Sequence, residues 1–199
     1  MSNDGVNAGR RRFLTVATSV VGAAGAVGVA VPFVGSWNPS AKAKAAGAPV
    51  KANLSNVEMG QMIVVEWRGK PVYVVRRSAE PLAHLPNLND ELRDPQSVEL
   101  QQPEYVKGEA RTIPGKEEFL IMLGLCTHLG CAPMYRPEVG AADLGGDEWL
   151  GGFFCPCHGS KYDLAGRVYK GVPAPTNMEI PPHSYDSDTI ITVGVDQEA

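Results

Sequence analysis

The most continuous apolar pattern in the chain is FLTVATSVVGAAGAVGVAVPFVG, from Phe13 to Gly35, without one formally charged position. About 20 helical residues cross the hydrocarbon core of a bilayer, and a cleaved secretory signal has a shorter apolar region of about 7–15. The run therefore predicts a membrane-spanning helix, with Trp37 at its far end as an interfacial aromatic. NPSAKAKAAGAPVKA, which follows, has no apolar period and reads as a linker. Beyond it the pattern changes to short β-branched and aromatic runs. QMIVVEW (61–67) and KPVYVVRR (70–77) around Gly69 predict a hairpin. EEFLIMLG (117–124) and TIITVGV (189–195) have strand length, and EWLGGFF (148–154) and KYDLAGRVY (161–169) add two more. PLAHLPNLNDELRDPQ (81–96) is the one helical candidate, cut by Pro86 and stopped before Pro95. The body is predicted to be mainly β and antiparallel, with long loops, as 22 Gly and 16 Pro suggest.

Charge refines this picture. Arg10, Arg11 and Arg12 precede the apolar run, whereas the chain after Trp37 carries 15 Lys/Arg and 21 Asp/Glu. Basic residues stay cytoplasmic, so the acidic body is expected across the membrane, and it offers no footprint for nucleic acid. GRRRFLT (9–15) resembles a twin-arginine export signal, the type that carries folded, cofactor-loaded proteins; a plain signal cleaved near Ala41 and Ala43 is the alternative. The expected division is a cytoplasmic basic segment (1–12), a transmembrane anchor (13–36), a flexible hinge linker (37–52) and a periplasmic domain (53–199).

The candidate chemistry lies in two stretches, LCTHLGCAPMY (125–135) and FFCPCHGSKYD (153–163), which hold all four cysteines and two of the four histidines. Cys126 and His128, and Cys155 and His158, each pair a thiol with an imidazole at a spacing one turn can aim at one metal. Cys131 and Cys157 are left beside them. Three readings stay open on the residues alone: a structural zinc site, a framework of two disulfides, and a [2Fe–2S] cluster with two histidines replacing two cysteines on one iron. His84 and His183 have no ligand-type neighbours and read as surface or loop residues. The insert APMYRPEVGAADLGGDEW (132–149) reads as a surface loop.

CTHLGC and CPCHGS resemble the two signature boxes of the Rieske iron–sulfur proteins, with every ligand and bridge position filled. The anchor, the linker and LRDPQ (92–96) also look like the Rieske subunit of the cytochrome bc complexes, so the likeness extends over most of the chain. It implies an antiparallel β-sandwich with a small cluster-binding subdomain at about 123–177, tethered to one N-terminal helix. One [2Fe–2S] cluster would be held by Cys126 and Cys155 on one iron and by His128 and His158 on the other, with Cys131 and Cys157 in a disulfide. Closing a loop of about 27 residues stabilises by roughly 3.5 kcal/mol in the chain-entropy model and needs an oxidising compartment. Ser160 and Tyr162 match positions whose hydroxyls bond a bridging sulfide and a ligand sulfur. KGVPAPTN (170–177) matches the family's proline loop, with Val172 between Gly171 and Pro173-Ala174-Pro175 where the common form reads Gly-Pro-Ala-Pro. Leu129 and Gly130 would form the docking tip with Pro173 and Pro175.

The resemblance further implies ubiquinol oxidation at a site shared with cytochrome b. There His158 would take the quinol proton as the cluster takes an electron, which then passes to a membrane-bound c-type cytochrome in a dimeric complex of the bacterial inner membrane. The alternative implied by the same boxes is the electron-transfer small subunit of a periplasmic molybdenum oxidase.

Overall fold

The computed structural model describes residues 5, 7–99 and 101–197. The chain divides into two compact units, Met1–Ala45 and Ala46–Ala199. In the first, α1 runs from Ala8 to Gly35. It begins before the apolar run because the Asn7 side chain accepts the Arg10 N–H at 3.1 Å, which caps the helix, and arginine is a good helix former. Arg10, Arg11 and Arg12 thus lie within the first two turns of the helix. At 1.5 Å per residue its 28 residues reach about 42 Å, more than a hydrocarbon core of about 30 Å. Its apolar side chains are exposed. Thr15 and Thr18 donate back to the carbonyls of Arg11 and Leu14 at 2.8 and 2.6 Å, so neither hydroxyl is left unpaired in an apolar surrounding.

The segment read as a linker is more ordered than expected. It contains α2 (Ala41–Ala46), begun by Ser40, whose hydroxyl accepts the Ala43 N–H. Its last residues belong to a strand, β1 (Val50–Asn53). Ala52 is buried there, while Lys51 and Asn53 face outward. Val50 also packs against that core, but two inward apolar residues in four are too short a pattern to be seen in sequence.

The remaining strands are β2 (Met62–Trp67), β3 (Lys70–Arg76), β4 (Phe119–Leu123), β5 (Met134–Arg136), β6 (Gly152–Cys155), β7 (Ser160–Asp163), β8 (His183–Ser187) and β9 (Ile190–Val193). They form three antiparallel three-stranded sheets, ordered β1-β9-β8, β2-β3-β4 and β5-β6-β7. β2 and β3 form the expected hairpin, closed at Trp67↔Lys70. The candidate helix resolves into α3 (Ala79–His84) and a 3₁₀ segment, Leu85–Glu91, with Pro86 in its first turn.

Side chains alternate across a strand, and β3 and β4 are apolar on both faces. Val72, Val74, Ile121 and Leu123 pack with Leu54, Trp67 and Ile191. Tyr73, Val75, Leu120 and Met122 point the other way, toward Cys126, Phe153 and Tyr162. The β2-β3-β4 sheet is therefore the shared wall between the sandwich core and the sheet that bears the second cysteine box.

Two sequence expectations are corrected. His183 is 1% exposed; it opens β8, its Nδ1 lies 2.9 Å from the Pro181 carbonyl, and its N–H donates to Tyr105 Oη. Burial lowers its pKa. The 132–149 insert is not merely a surface loop. Met134–Arg136 pairs with β6, and Ala141, Leu144 and Trp149 are buried against Leu88, Leu92 and Tyr169.

Behind β7 lies a buried polar knot. Asp163 and Arg167 are fully buried and paired at 2.7 Å. The other Asp163 oxygen accepts the N–H groups of Ala165 and Arg167. Arg111 donates to the carbonyls of Ala165, Gly166 and Met178, and Arg77 to those of Ala110, Leu164 and Glu117. Burial pulls both pKa values down to about 10, which leaves these guanidiniums charged at neutral pH. Removing one partner of a buried pair costs about 3–5 kcal/mol, so Asp163→Asn is expected to lower stability by that amount in denaturant titration of the solubilised chain. A loss of less than about 1 kcal/mol, the value of an exposed pair, would show that the knot does not hold the 163–167 turn.

Candidate metal centre

Both cysteine boxes are short turns of the same kind. In the first, the N–H of Gly130 donates to the Cys126 carbonyl at 2.8 Å; in the second, the N–H of Gly159 donates to the Cys155 carbonyl at 2.9 Å. Both glycines have φ 79°, a left-handed conformation that costs other residues energy. The first box follows β4. The second joins β6 to β7, with Cys155 paired to Ser160 across the hairpin. Cys131 and Cys157 form the disulfide that ties the two turns together. The N–H of Cys126 donates to the Cys131 carbonyl at 2.7 Å, which closes the first turn.

The donor atoms are sorted by depth. Cys126 and Cys155 are free thiols, 3% and 1% exposed. His128 is half-buried and His158 is exposed. Their rings meet edge to face, with centroids 4.7 Å apart. Cys155 Sγ also lies within 4.8 Å of both disulfide sulfurs, but a sulfur held in a disulfide is not a thiolate donor, which leaves Cys126, Cys155 and the two imidazoles. His128 Nδ1 is buried with no hydrogen-bond partner, an arrangement that normally carries a penalty and that fits a nitrogen aimed at a metal. Two inward sulfurs and two outer imidazoles match the donor set of a [2Fe–2S] group with mixed ligation. Zinc in a Cys₂His₂ site would take the same four donors, so the donor set alone does not separate it from the cluster, whereas a second disulfide would leave the orphaned nitrogen unexplained.

Fixed donors surround the sulfurs. Tyr162 Oη donates to Cys126 Sγ at 3.2 Å and accepts the Thr127 N–H at 3.0 Å. Burial pushes the Cys126 thiol up, but hydrogen bonds from Tyr162, the backbone at His128 and Ser160 outweigh it and hold the thiol below its usual range. Cys155 is pushed up, first by burial and then by the neighbouring Cys126. Burial likewise raises Tyr162, so this hydroxyl stays a donor.

Ser160 is fully buried, and its Oγ accepts the Ala174 N–H at 3.1 Å. Ala174 is buried between the exposed Pro173 and Pro175. Leu129, 69% exposed, and Gly130 stand next to His128 on the outer surface. The additional residue Val172 is accommodated by packing into two hydrophobic cores. Thr127 carries no sequence signal beyond its place between Cys126 and His128, yet its hydroxyl donates to the Thr176 carbonyl at 2.7 Å and so joins the first box to the proline loop.

Two family models match the chain: "Ubiquitinol-cytochrome C reductase Fe-S subunit TAT signal" over residues 1–40 and "Rieske [2Fe-2S] domain" over residues 48–182. The chain is 58% identical over 197 residues to a ubiquinol–cytochrome c reductase iron–sulfur subunit of Allochromatium vinosum, covering 99% of this chain and 94% of that one. It is 44% identical over 193 residues to the subunit of the same name from Blastochloris viridis, covering 97% of each. A chain of a hyperthermophilic respiratory Complex III aligns with a TM-score of 0.47 at 24% identity, over 89% of this chain and 99% of that one.

Tyr162→Phe removes the donor to Cys126 and the acceptor for Thr127. It is expected to keep the cluster and lower the midpoint potential in a redox titration, because the charge on sulfur loses a stabilising hydrogen bond; a midpoint equal to that of the parent chain would exclude this role. Cys131→Ser is expected to lower stability by about 3.5 kcal/mol and to speed loss of iron to a chelator. A chelation rate unchanged from the parent would show that the disulfide does not clamp the centre.

Proposed function

Since the chain belongs to the Rieske [2Fe–2S] family, as a ubiquinol–cytochrome c reductase iron–sulfur subunit, we propose that it oxidises ubiquinol beside cytochrome b and passes the electron to a membrane-bound c-type cytochrome. The observation that carries this reading is the exposed His158 ring, set edge to face against His128 above two buried thiols. When bound, the [2Fe–2S] group supplies a one-electron acceptor, whose potential is higher than that of an all-cysteine cluster because neutral imidazoles replace thiolates.

The residues divide the work. Cys126 and Cys155 would hold one iron of the group, and His128 and His158 the other. His158 offers its outward nitrogen to the quinol hydroxyl and accepts the proton. Leu129, Gly130, Pro173 and Pro175 form the exposed rim that meets the partner. Ser160 and Tyr162 hold donors on the sulfur side. α1 anchors the chain in the bacterial inner membrane with the arginines cytoplasmic and the body periplasmic. Residues between α1 and β1 are the tether, and the assembly is dimeric. A molybdenum oxidase subunit is not favoured, because relatives aligned over nearly the whole chain carry the reductase name.

The test is spin resonance of redox-poised membranes with and without a quinol-site inhibitor. The reduced-cluster signal is expected to shift on adding the inhibitor, and identical spectra would overturn placement against a quinone pocket. Protein without acid-labile sulfide would overturn the cofactor itself.

A further inference from the structure

LRDPQ (92–96) has no part in the donor set, yet it lies along the whole base of the proline loop. The Arg93 N–H donates to the Val168 carbonyl at 3.0 Å, and Leu92 pairs with Tyr169. Arg93 Nη2 reaches the Val172 carbonyl at 3.2 Å. At the other end of the loop stands Asn177, 1% exposed. Its Oδ1 accepts the Val168 N–H at 2.8 Å, which closes the neck of the loop. Its Nδ2 donates to the Asp94 carbonyl at 2.9 Å and to Ser97 Oγ at 3.0 Å. The 94–99 turn that receives it is itself fixed, since the Asp94 carboxylate accepts the N–H groups of Val98 and Glu99 and Ser97 sits at φ 50°. One buried carboxamide therefore joins both ends of the proline loop to a rigid turn.

That loop is also what touches the hydroxyls around the sulfurs. The Ala174 N–H donates to Ser160 Oγ, which leaves the Ser160 proton free to point at sulfur. The Thr176 carbonyl accepts a hydrogen bond from the Thr127 hydroxyl, and the N–H of Thr127 donates to Tyr162 Oη. Resting on the function proposed above, we propose that Asn177 is a positioning residue for the redox centre. By closing the 168–177 loop on the LRDPQ turn, it fixes the directions of the Ser160 and Thr127 hydroxyls and so helps set the potential at which the centre accepts an electron. It touches neither a ligand sulfur nor an imidazole.

A purely structural asparagine would change stability and leave the potential alone. In the full-length chain in membranes, Asn177→Ala is expected to lower the midpoint potential, to speed hydrogen exchange of the Ala174 amide, and to reduce kcat for quinol oxidation more than it changes KM. Ser97→Ala, which removes one of two acceptors, is expected to move the midpoint in the same direction by less. Combining Asn177→Ala with Ser160→Ala is expected to shift the midpoint by less than the sum of the two single shifts, because part of the Asn177 effect acts through the Ser160 hydroxyl. A parental midpoint in Asn177→Ala, or full additivity with Ser160→Ala, would overturn the proposal. If Asn177→Ala fails to accumulate, a parental midpoint and parental Ala174 exchange in Ser97→Ala would overturn it equally. A parent chain with no reducible cluster would instead defeat the functional reading, while Ala174 exchange would still report whether Asn177 holds the loop.

Discussion

A buried thiolate is tolerated only where fixed donors replace the water it has lost. Cys126 meets that condition through Tyr162 Oη, the backbone at His128 and the neighbouring Ser160, and much of the surrounding architecture keeps those donors in place. β7 is the element that does most. Ser160 and Tyr162 share one face of it and look toward the sulfurs. Asp163, on the opposite face, is locked to Arg167, so the strand is held from behind by a charge pair while its front face carries the donors.

The central sheet explains how this arrangement is supported. β3 and β4 bury both faces, so the sandwich core and the core beneath the cysteine boxes share a wall. Packing within interiors transmits strain because it leaves few voids. A change at Tyr73 or Met122 is therefore felt at Cys126, whereas one at Val74 or Ile121 is felt first in the sandwich.

Much of the site was legible in sequence because its chemistry is local. CTHLGC and CPCHGS state their donors at fixed spacing, and the turns that aim them span four peptide units each. The long apolar runs of β2, β3 and β4 were legible for a similar reason. What escaped depends on distant partners. β1 has only two inward residues, Val50 and Ala52, and β5 is three residues long and takes its meaning from β6. His183 is buried by Tyr105 and by the chain around Pro181, none of which its own neighbours announce. Arg77, Arg111 and Arg167 look like surface charges until the carbonyls that receive them are brought together. Thr127 and Asn177 act through contacts 49 and about 80 residues away, a range over which no periodicity speaks.

The two cysteine turns are near-copies of one another, and a duplicated scaffold would by itself give a centre with two equivalent entrances. The equivalence is broken by depth: His128 is half-buried, whereas His158 is exposed. On the proposed reading, the more exposed His158 turn is the side of the head at which a partner would meet the centre.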